Sequence, residues 1–403
     1  MTRRRWDRKE TVRRTEFEDL YESHLKAQRG VIWKGSVARF SLHGAEEVNK
    51  LVQELDAGTY KPKAPVLFTI TKPKRREILA ISYRDRVYQR WINDRLLYPA
   101  MTKSFVRENG ACQTGKGTTY CMDVLKRNLR RFYTRHGLDG YILQIDIEHY
   151  YPSMRHDMVK AMFREKLDDQ VYRMVADILD GQYEGEIGYN PGSQMVQIAG
   201  IGFLNGIDHY IKEKLRIREY VRVMDDMVLI HKSREYLKRC LEEIRRELAR
   251  IGLRCHPKKT GIVPIREGIA FLGFRWRLTE TGKIVLIPKP EKIKEFYRAT
   301  EKLMRLYAEG KRTKQYVERS VETRLAHLSL GNTWKLRGKL LKWCKERMAY
   351  HEERKRILQP EGAVPGGEGK AGQRDRRGGG KRRGPGGCRG SAGGTGGNDR
   401  GAG

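Results

Sequence analysis

The chain has 403 residues and carries 83 Lys and Arg against 50 Asp and Glu, a formal net charge of +33. Solubility needs far less, so a polyanionic partner is the first expectation. An apolar fraction of 38% with 6 Trp, 20 Tyr and 10 Phe excludes a wholly disordered chain. Nor does any apolar run approach the roughly 18 residues of a membrane span.

The start, Met1-Thr-Arg-Arg-Arg-Trp-Asp-Arg8, lacks the apolar segment of a secretory signal. Cys112, Cys121, Cys240, Cys255, Cys344 and Cys388 are too scattered for a zinc site or redox pair and read as small core residues of a reduced, cytoplasmic protein. Residues 1–65 read as basic helices closing on the Pro-containing joint Tyr60–Pro65. Short strands follow at Val66–Ile70 and Glu77–Ile81, then a helix from Arg86 to Tyr98. Tyr141–Ile147 is a clear β run, and a helix starts at His156-Asp157. Met195–Lys214 reads as one helix. Tyr220–His231 reads as two β runs meeting at a pair of aspartates, followed by an amphipathic helix over Arg234–Ile251. Gly268–Trp276 and Ile284–Ile287 are strands again. After Pro290 the chain is helical, with Ile293, Phe296, Tyr297, Thr300, Leu303, Met304 and Tyr307 on one face. From Gln359 onward 18 of 45 residues are Gly, which predicts a disordered tail with only a loose affinity for single-stranded nucleic acid. The class is α+β.

In so basic a chain, carboxylates at the ends of apolar strands need a reason. Asp146 ends one such strand, and Asp225-Asp226 stand at a strand–turn–strand tip among Val and Met. A second pair, Asp168-Asp169, sits at a helix junction, where Asp caps backbone donors. Buried carboxylates brought together are costly unless cations neutralise them. Asp146, Asp225 and Asp226 would make an oxygen-ligand site for two Mg²⁺ ions, the arrangement that clamps attacking and leaving oxygens in phosphoryl transfer. A hairpin capped by turn-forming Asp is the alternative.

Order and context narrow the choice. Leu143-Gln-Ile-Asp-Ile-Glu-His-Tyr-Tyr-Pro-Ser153 resembles the first palm motif of reverse transcriptases, and Val223-Met-Asp-Asp226 their second aspartate motif. Between them, Gly192–Asp208 resembles the family's intervening motif, with Gln197 at its Gln. His256-Pro-Lys-Lys-Thr260 and Phe271-Leu-Gly273 match the lysine loop and the primer-grip turn. Upstream, Arg76-Glu-Ile78, Arg84-Asp-Arg-Val87, Gly110-Ala-Cys112 and Gly115-Lys-Gly-Thr118 match the fingers. These motifs stand in the family's order, and the similarity spans roughly residues 66–345. Three positions depart from the pattern: Val223 replaces the usual Tyr, Val196 a common Ser that bears on template contacts, and His256 a common Asn.

The resemblance implies a right-hand polymerase: fingers over 66–135, an antiparallel-sheet palm over 136–280, a helical thumb over 281–353 and a tail over 354–403. It implies an RNA-directed DNA polymerase, a nucleotidyltransferase that extends a DNA or RNA primer on an RNA template with dNTPs, holds the RNA–DNA hybrid and uses two Mg²⁺ ions, with Mn²⁺ as substitute. Asp146, Asp225 and Asp226 become metal ligands, Lys259 the proton donor to pyrophosphate, and Arg76 and Arg84 contacts to triphosphate or template phosphate. Tyr151 becomes the ring that blocks a 2′-hydroxyl, and Gln197 faces template or nucleotide. The basic run Lys335–Arg347 would grip duplex backbone. Among bacterial relatives the stretch from Arg84-Asp-Arg-Val87 to Gly115-Lys-Gly-Thr118 looks most like the diversity-generating retroelement enzymes, with group II intron, retron and phage-defence types open, and a dedicated structured RNA or accessory protein is a partner such enzymes imply. The chain's size leaves no obvious nuclease domain after the thumb, and no membrane is expected. An RNA-copying RNA polymerase and an RNA-binding splicing helper without synthesis are the alternatives.

Overall fold

The computed structural model describes residues 16–71 and 75–358. The expected tail from Gln359, with Cys388, and the first fifteen residues of the expected basic extension lie outside the described residues.

Three helices open the described chain: α1 (Phe17–Ala27), α2 (Gly35–Leu42) and α3 (Gly44–Asp56). They bury Leu20, Val37, Phe40, Val48 and Leu51. Residues 17–56 hold seven acidic and five basic side chains, so these helices are not the basic ones that the reading of 1–65 expects. The early excess of Lys and Arg belongs to the first fifteen residues.

The antiparallel hairpin of β1 (Val66–Ile70) and β2 (Arg76–Ala80) follows, then α4 (Tyr83–Ile92). Helix α4 starts three residues before the expected Arg86 because Ser82 caps it, its hydroxyl accepting from Asp85 N. A π-helical turn over Asn93–Leu97 leads into α5 (Tyr98–Thr102), and α6 (Thr118–His136) crosses to the main sheet.

That sheet is antiparallel with order β4-β5-β3-β6, built from β3 (Tyr141–Ile145), β4 (Glu219–Val223), β5 (Asp226–His231) and β6 (Gly261–Pro264). Its two faces are buried differently, as the period of two requires. Ile142, Val221, Val228 and Ile230 pack with Val124, Leu125, Leu129 and Phe132 of α6. Leu143, Ile145, Tyr220, Met227 and Leu229 join the large core. That core also draws on α7 (His156–Lys166), α8 (Asp169–Gln182), α9 (Gln194–Phe203), α10 (Asn205–His209) and α11 (Arg234–Arg250). Asp168 caps α8, its carboxylate accepting from Val171 N at 2.9 Å. The single helix expected over Met195–Lys214 is broken at Leu204, and its last turn, Tyr210–Lys214, is π-helical.

A second antiparallel sheet holds β7 (Ile269–Phe271), β8 (Phe274–Leu278) and β9 (Ile284–Pro288). The one strand expected over Gly268–Trp276 is thus a hairpin, turning at Leu272 (φ +50°) and Gly273 (φ +85°). Two positive φ values fit the two-residue turns that match strand twist. Helices α12 (Pro290–Ala308), α13 (Lys314–Leu328) and α14 (Trp334–Leu358) close the described chain around their own core of Phe296, Met304, Val317, Val321, Leu325 and Leu340. Residues 354–358, read from sequence as tail, continue α14. No described helix is long and apolar enough to cross a membrane.

Candidate active site

Register brings the aspartates together. Strand β3 pairs with β5 from Tyr141↔His231 to Ile145↔Met227, and one more step sets Asp146 beside Asp226. On the other side of β5, Val223 pairs with Asp226, so Met224 and Asp225 are the whole connection. Met224 sits at φ +55°, a region that a residue with a Cβ rarely enters. Such strain persists only where the surroundings enforce it.

The enforcing group is Arg222. Its side chain is fully buried, as is that of its partner Asp208 on α10. Arg222 Nε and Nη2 donate to the two Asp208 oxygens at 2.7 and 2.5 Å. Nη2 also donates to Ile201 O at 3.0 Å and Nη1 to Met224 O at 2.8 Å. Tyr220 Oη donates to Asp208 at 2.6 Å. One forked cation therefore ties the strained turn to α9 and α10. The Arg in Tyr220-Val-Arg-Val223, an ion within an otherwise apolar strand, was the signal in the sequence. Its partner could not be read there.

Around Asp146 the loop His256–Thr260 closes. His256 N donates to Asp146 O at 2.7 Å, and Asp146 N approaches Thr260 Oγ1 at 3.3 Å. Lys259 Nζ lies 2.8 and 3.0 Å from the two Asp146 carboxylate oxygens. Beside this pair opens a cleft of about 260 Å³ lined by Gln144, Lys258, Lys259, Thr260 and β7 residues.

Burial pushes the Asp225 carboxyl up, and the Asp146 charge adds to this, while Lys259 and Arg76 oppose it. Asp226 is raised to about 6, first by burial, then by Asp225 and Asp146, with Lys259 and Lys289 opposing. Burial first, and mutual repulsion after it, disfavour the charged carboxylates, a cost that a bound cation would relieve. Among the described residues no three His, Cys, Asp or Glu side chains converge as a ready ligand set. The donors nevertheless suit a hard divalent cation: oxygen only, half-buried, mutually repelling, with one Asp146 partner that an incoming cation could displace.

Tyr151 lies in a short 3₁₀ turn with its ring against Gly200 of α9. A Cβ on Gly200 would stand 2.8 Å from the Tyr151 hydroxyl and 2.9 Å from its ring, so any larger residue there displaces the ring. Burial raises the Tyr151 pKa, with Cys112 and Asp225 adding to it, which sets the ring near the aspartate turn. The adjacent Tyr150 hydroxyl donates to Gly200 O. Gln197 is exposed on a helix whose neighbouring residues Met195, Val196, Ile198 and Ala199 are buried. Val196 is 1% exposed, so the departure noted there touches core and not a template strand.

Arg76 opens β2, exposed, and its charge reaches Asp225. Arg84 does not join it. Its guanidinium pairs with Glu54 of α3 and lies over the Tyr60 ring, 5.1 Å from the centroid. The structure does not bring Arg84 to the aspartates with Arg76: its guanidinium joins α3 and α4. Lys289, not singled out from sequence, comes near Asp226 because β9 ends beside the Leu272-Gly273 turn, where Lys289 N reaches Gly273 O at 3.4 Å.

The family described as reverse transcriptase (RNA-dependent DNA polymerase) matches residues 61–276, more than half of the chain, and the match covers every residue of this site except Lys289. The chain belongs to the reverse transcriptase family. Its α+β fold, with fingers-like hairpin, antiparallel palm sheet and helical end, is that family's. Three solved structures resemble it. Apo telomerase from Candida tropicalis truncated from its C-terminal domain is 13% identical over 55% of this chain and 54% of that one, TM-score 0.42. Apo telomerase from Candida tropicalis is 11% identical over 76% and 63%, TM-score 0.45. Telomerase from Candida albicans in complex with a TWJ fragment of telomeric RNA is 11% identical over 77% and 65%, TM-score 0.44. This reverse transcriptase spans between about half and two thirds of those chains. A comparison with curated proteins finds no match.

Proposed function

We propose that the chain is an RNA-directed DNA polymerase that extends a primer 3′-hydroxyl with dNTPs on an RNA template. The observation that carries the reading is the register that sets Asp146 beside Asp226 at one end of the main sheet, with Asp225 in the adjoining turn and Lys259 and Arg76 flanking them. Asp146 and Asp225, with Asp226 beside them, would hold two Mg²⁺ or Mn²⁺ ions. Bound there, such ions stabilise charge on the attacking and leaving oxygens.

The side chains divide the remaining work. Lys259, paired with Asp146, is the cation placed to give a proton to departing pyrophosphate once that carboxylate turns to another partner. Arg76 supplies forked donors to the triphosphate from the β1–β2 hairpin. The wall of Tyr151, fixed against Gly200, disfavours a sugar with a 2′-hydroxyl, which supports DNA rather than RNA as the product. Gln197, the exposed side chain on a buried helix, faces template or incoming base. The stretch from Arg84 to Thr118 supports a bacterial retroelement enzyme of diversity-generating or group II intron type, with an RNA–DNA hybrid held along the basic face of α14.

Primer extension on an RNA template with dNTPs or NTPs tests this. With wild-type protein, dNTPs are incorporated; with Asp225→Asn the rate falls by about 10³-fold or more, as expected when transition-state charge loses its stabilising group, while hybrid binding persists. Equal rates in the variant, or a preference for NTPs, would overturn the proposal.

A further inference from the structure

Helix α6 packs Val124, Leu125, Leu129 and Phe132 on the sheet and turns Arg127, Arg130, Arg131 and Arg135 away from it. These four recur at spacings of three and four, on one side of the helix. Like charges so placed repel, and the C-terminal end of a helix relieves only its last turn. Acidic neighbours do not relieve the rest: of the four, only Arg135 has an ion-pair partner among the described residues, Glu219 at the start of β4.

Arg130, Arg131 and Arg135 of the stripe, with Thr134, form one wall of a cleft of about 640 Å³, completed by Glu108, Lys212, Arg218 and Glu219. Both acids are already matched, Glu108 by Lys212 at 2.8 Å and Glu219 by Arg135. Arg130, Arg131 and Arg218 are exposed and form no ion pair among the described residues. None of the large exposed apolar side chains lines the cleft, so it offers no hydrophobic anchor to a protein partner. The cleft touches β4 at Glu219, the end of that strand opposite the aspartate turn. Four strand steps, about 13 Å, separate Glu219 from Val223 at the turn.

We propose that this cleft is a second nucleic-acid site, distinct from the polymerase cleft, which takes the phosphodiester backbone of a structured RNA. Arginine forks suit phosphate oxygens, and the span from Arg130 to Arg135, about 8 Å along a helix, lets more than one phosphate engage at once. Recognition is of backbone and shape, since both acids of the cleft are matched and the charges left over are cations. The site does not depend on the polymerase reading, because it needs no synthesis.

The test is equilibrium binding of a labelled hairpin RNA to the full chain, without nucleotides and with a short RNA–DNA duplex in saturating excess. The proposal expects the hairpin to bind alongside the duplex. Arg130→Glu/Arg131→Glu should weaken hairpin binding tenfold or more and flatten its log–log salt dependence by about 1 to 2, at roughly 0.9 per lost phosphate contact. The short duplex should bind the variant as it binds wild type, and Arg130→Gln/Arg131→Gln should give a smaller loss in the same direction with an unchanged melting temperature. Unchanged hairpin affinity, competition between hairpin and duplex, or an equal loss for both would overturn it. Failure to extend any primer would sink the polymerase reading and leave this binding result readable.

Discussion

Three residues decide how sharply the candidate site is held, and none of them is an aspartate of the proposed catalytic set. Arg222 and Asp208 are both fully buried and carry the strained Met224 turn between them. Removing one partner leaves an uncompensated buried charge, so Arg222→Ala should cost about 3–5 kcal/mol of stability by denaturant titration. Arg222→Met with Asp208→Leu should regain most of that loss, because a well-packed apolar pair replaces the ions. It should not regain polymerisation, since nothing then bonds Met224 O; recovery of both would reduce the pair to a packing element. Gly200 works by being small. With Gly200→Ala the Tyr151 ring must shift by some tenths of an ångström, and discrimination between dNTP and NTP, read as a ratio of kcat/KM, should fall about tenfold, or about 1.4 kcal/mol. An unchanged ratio would remove Tyr151 as a sugar gate. Lys259 and Asp146 were both named from their motifs, 113 residues apart, and they stand in direct contact. Arg84 was named as readily and stands elsewhere, because a motif's sequence does not say whether a carboxylate such as Glu54 has already engaged its guanidinium.

At the level of elements, strands were the most legible. Val66–Ile70 and Tyr220–His231 alternate or run apolar between turn residues, and the structure sets strands there within a residue or so. The breaks were less so. Periodicity read Gly268–Trp276 as one strand, and only the motif Phe271-Leu-Gly273 marked a turn inside it; the interruption at Leu204 has no Pro to announce it. The helical end has its own electrostatic lock: Glu301 of α12 accepts from Arg347 at 2.6 and 2.9 Å and lies 3.1 Å from the buried His351, both on α14. The Arg347 hydrogen bonds hold the Glu301 pKa down at about 2, from an ordinary 4.5, with burial opposing and His351 assisting. A depressed carboxylate contributes stability that is fully present above pH 4.5 and lost as pH falls through about 2. Glu301→Gln should therefore lower the melting temperature at pH 7, and the gap to wild type should close between pH 4.5 and 2. A gap constant over that window would mean that Gln reproduces the lock and charge is irrelevant to it.

Across the whole molecule, charge and topology were settled by different means. Composition by itself pointed to a polyanionic partner, since +33 follows from counting; the apolar runs gave the α+β class, and the resemblance of the motifs around Asp146 and Asp225 implied a nucleotidyltransferase. Local pattern suffices there because strand period and turn chemistry act over a few residues. Where the charge gathers was decided only by the tertiary structure. The described N-terminal helices, expected to be basic, are not, whereas α6, which drew no attention in the sequence, gathers arginines with Lys212 and Arg218 from elements some 80 residues away. Likewise the pairing of β3 with β5, of Arg222 with Asp208 and of Tyr151 with Gly200 depends on which apolar faces meet across long stretches of chain. Periodicity says that a face is buried; only packing says against what.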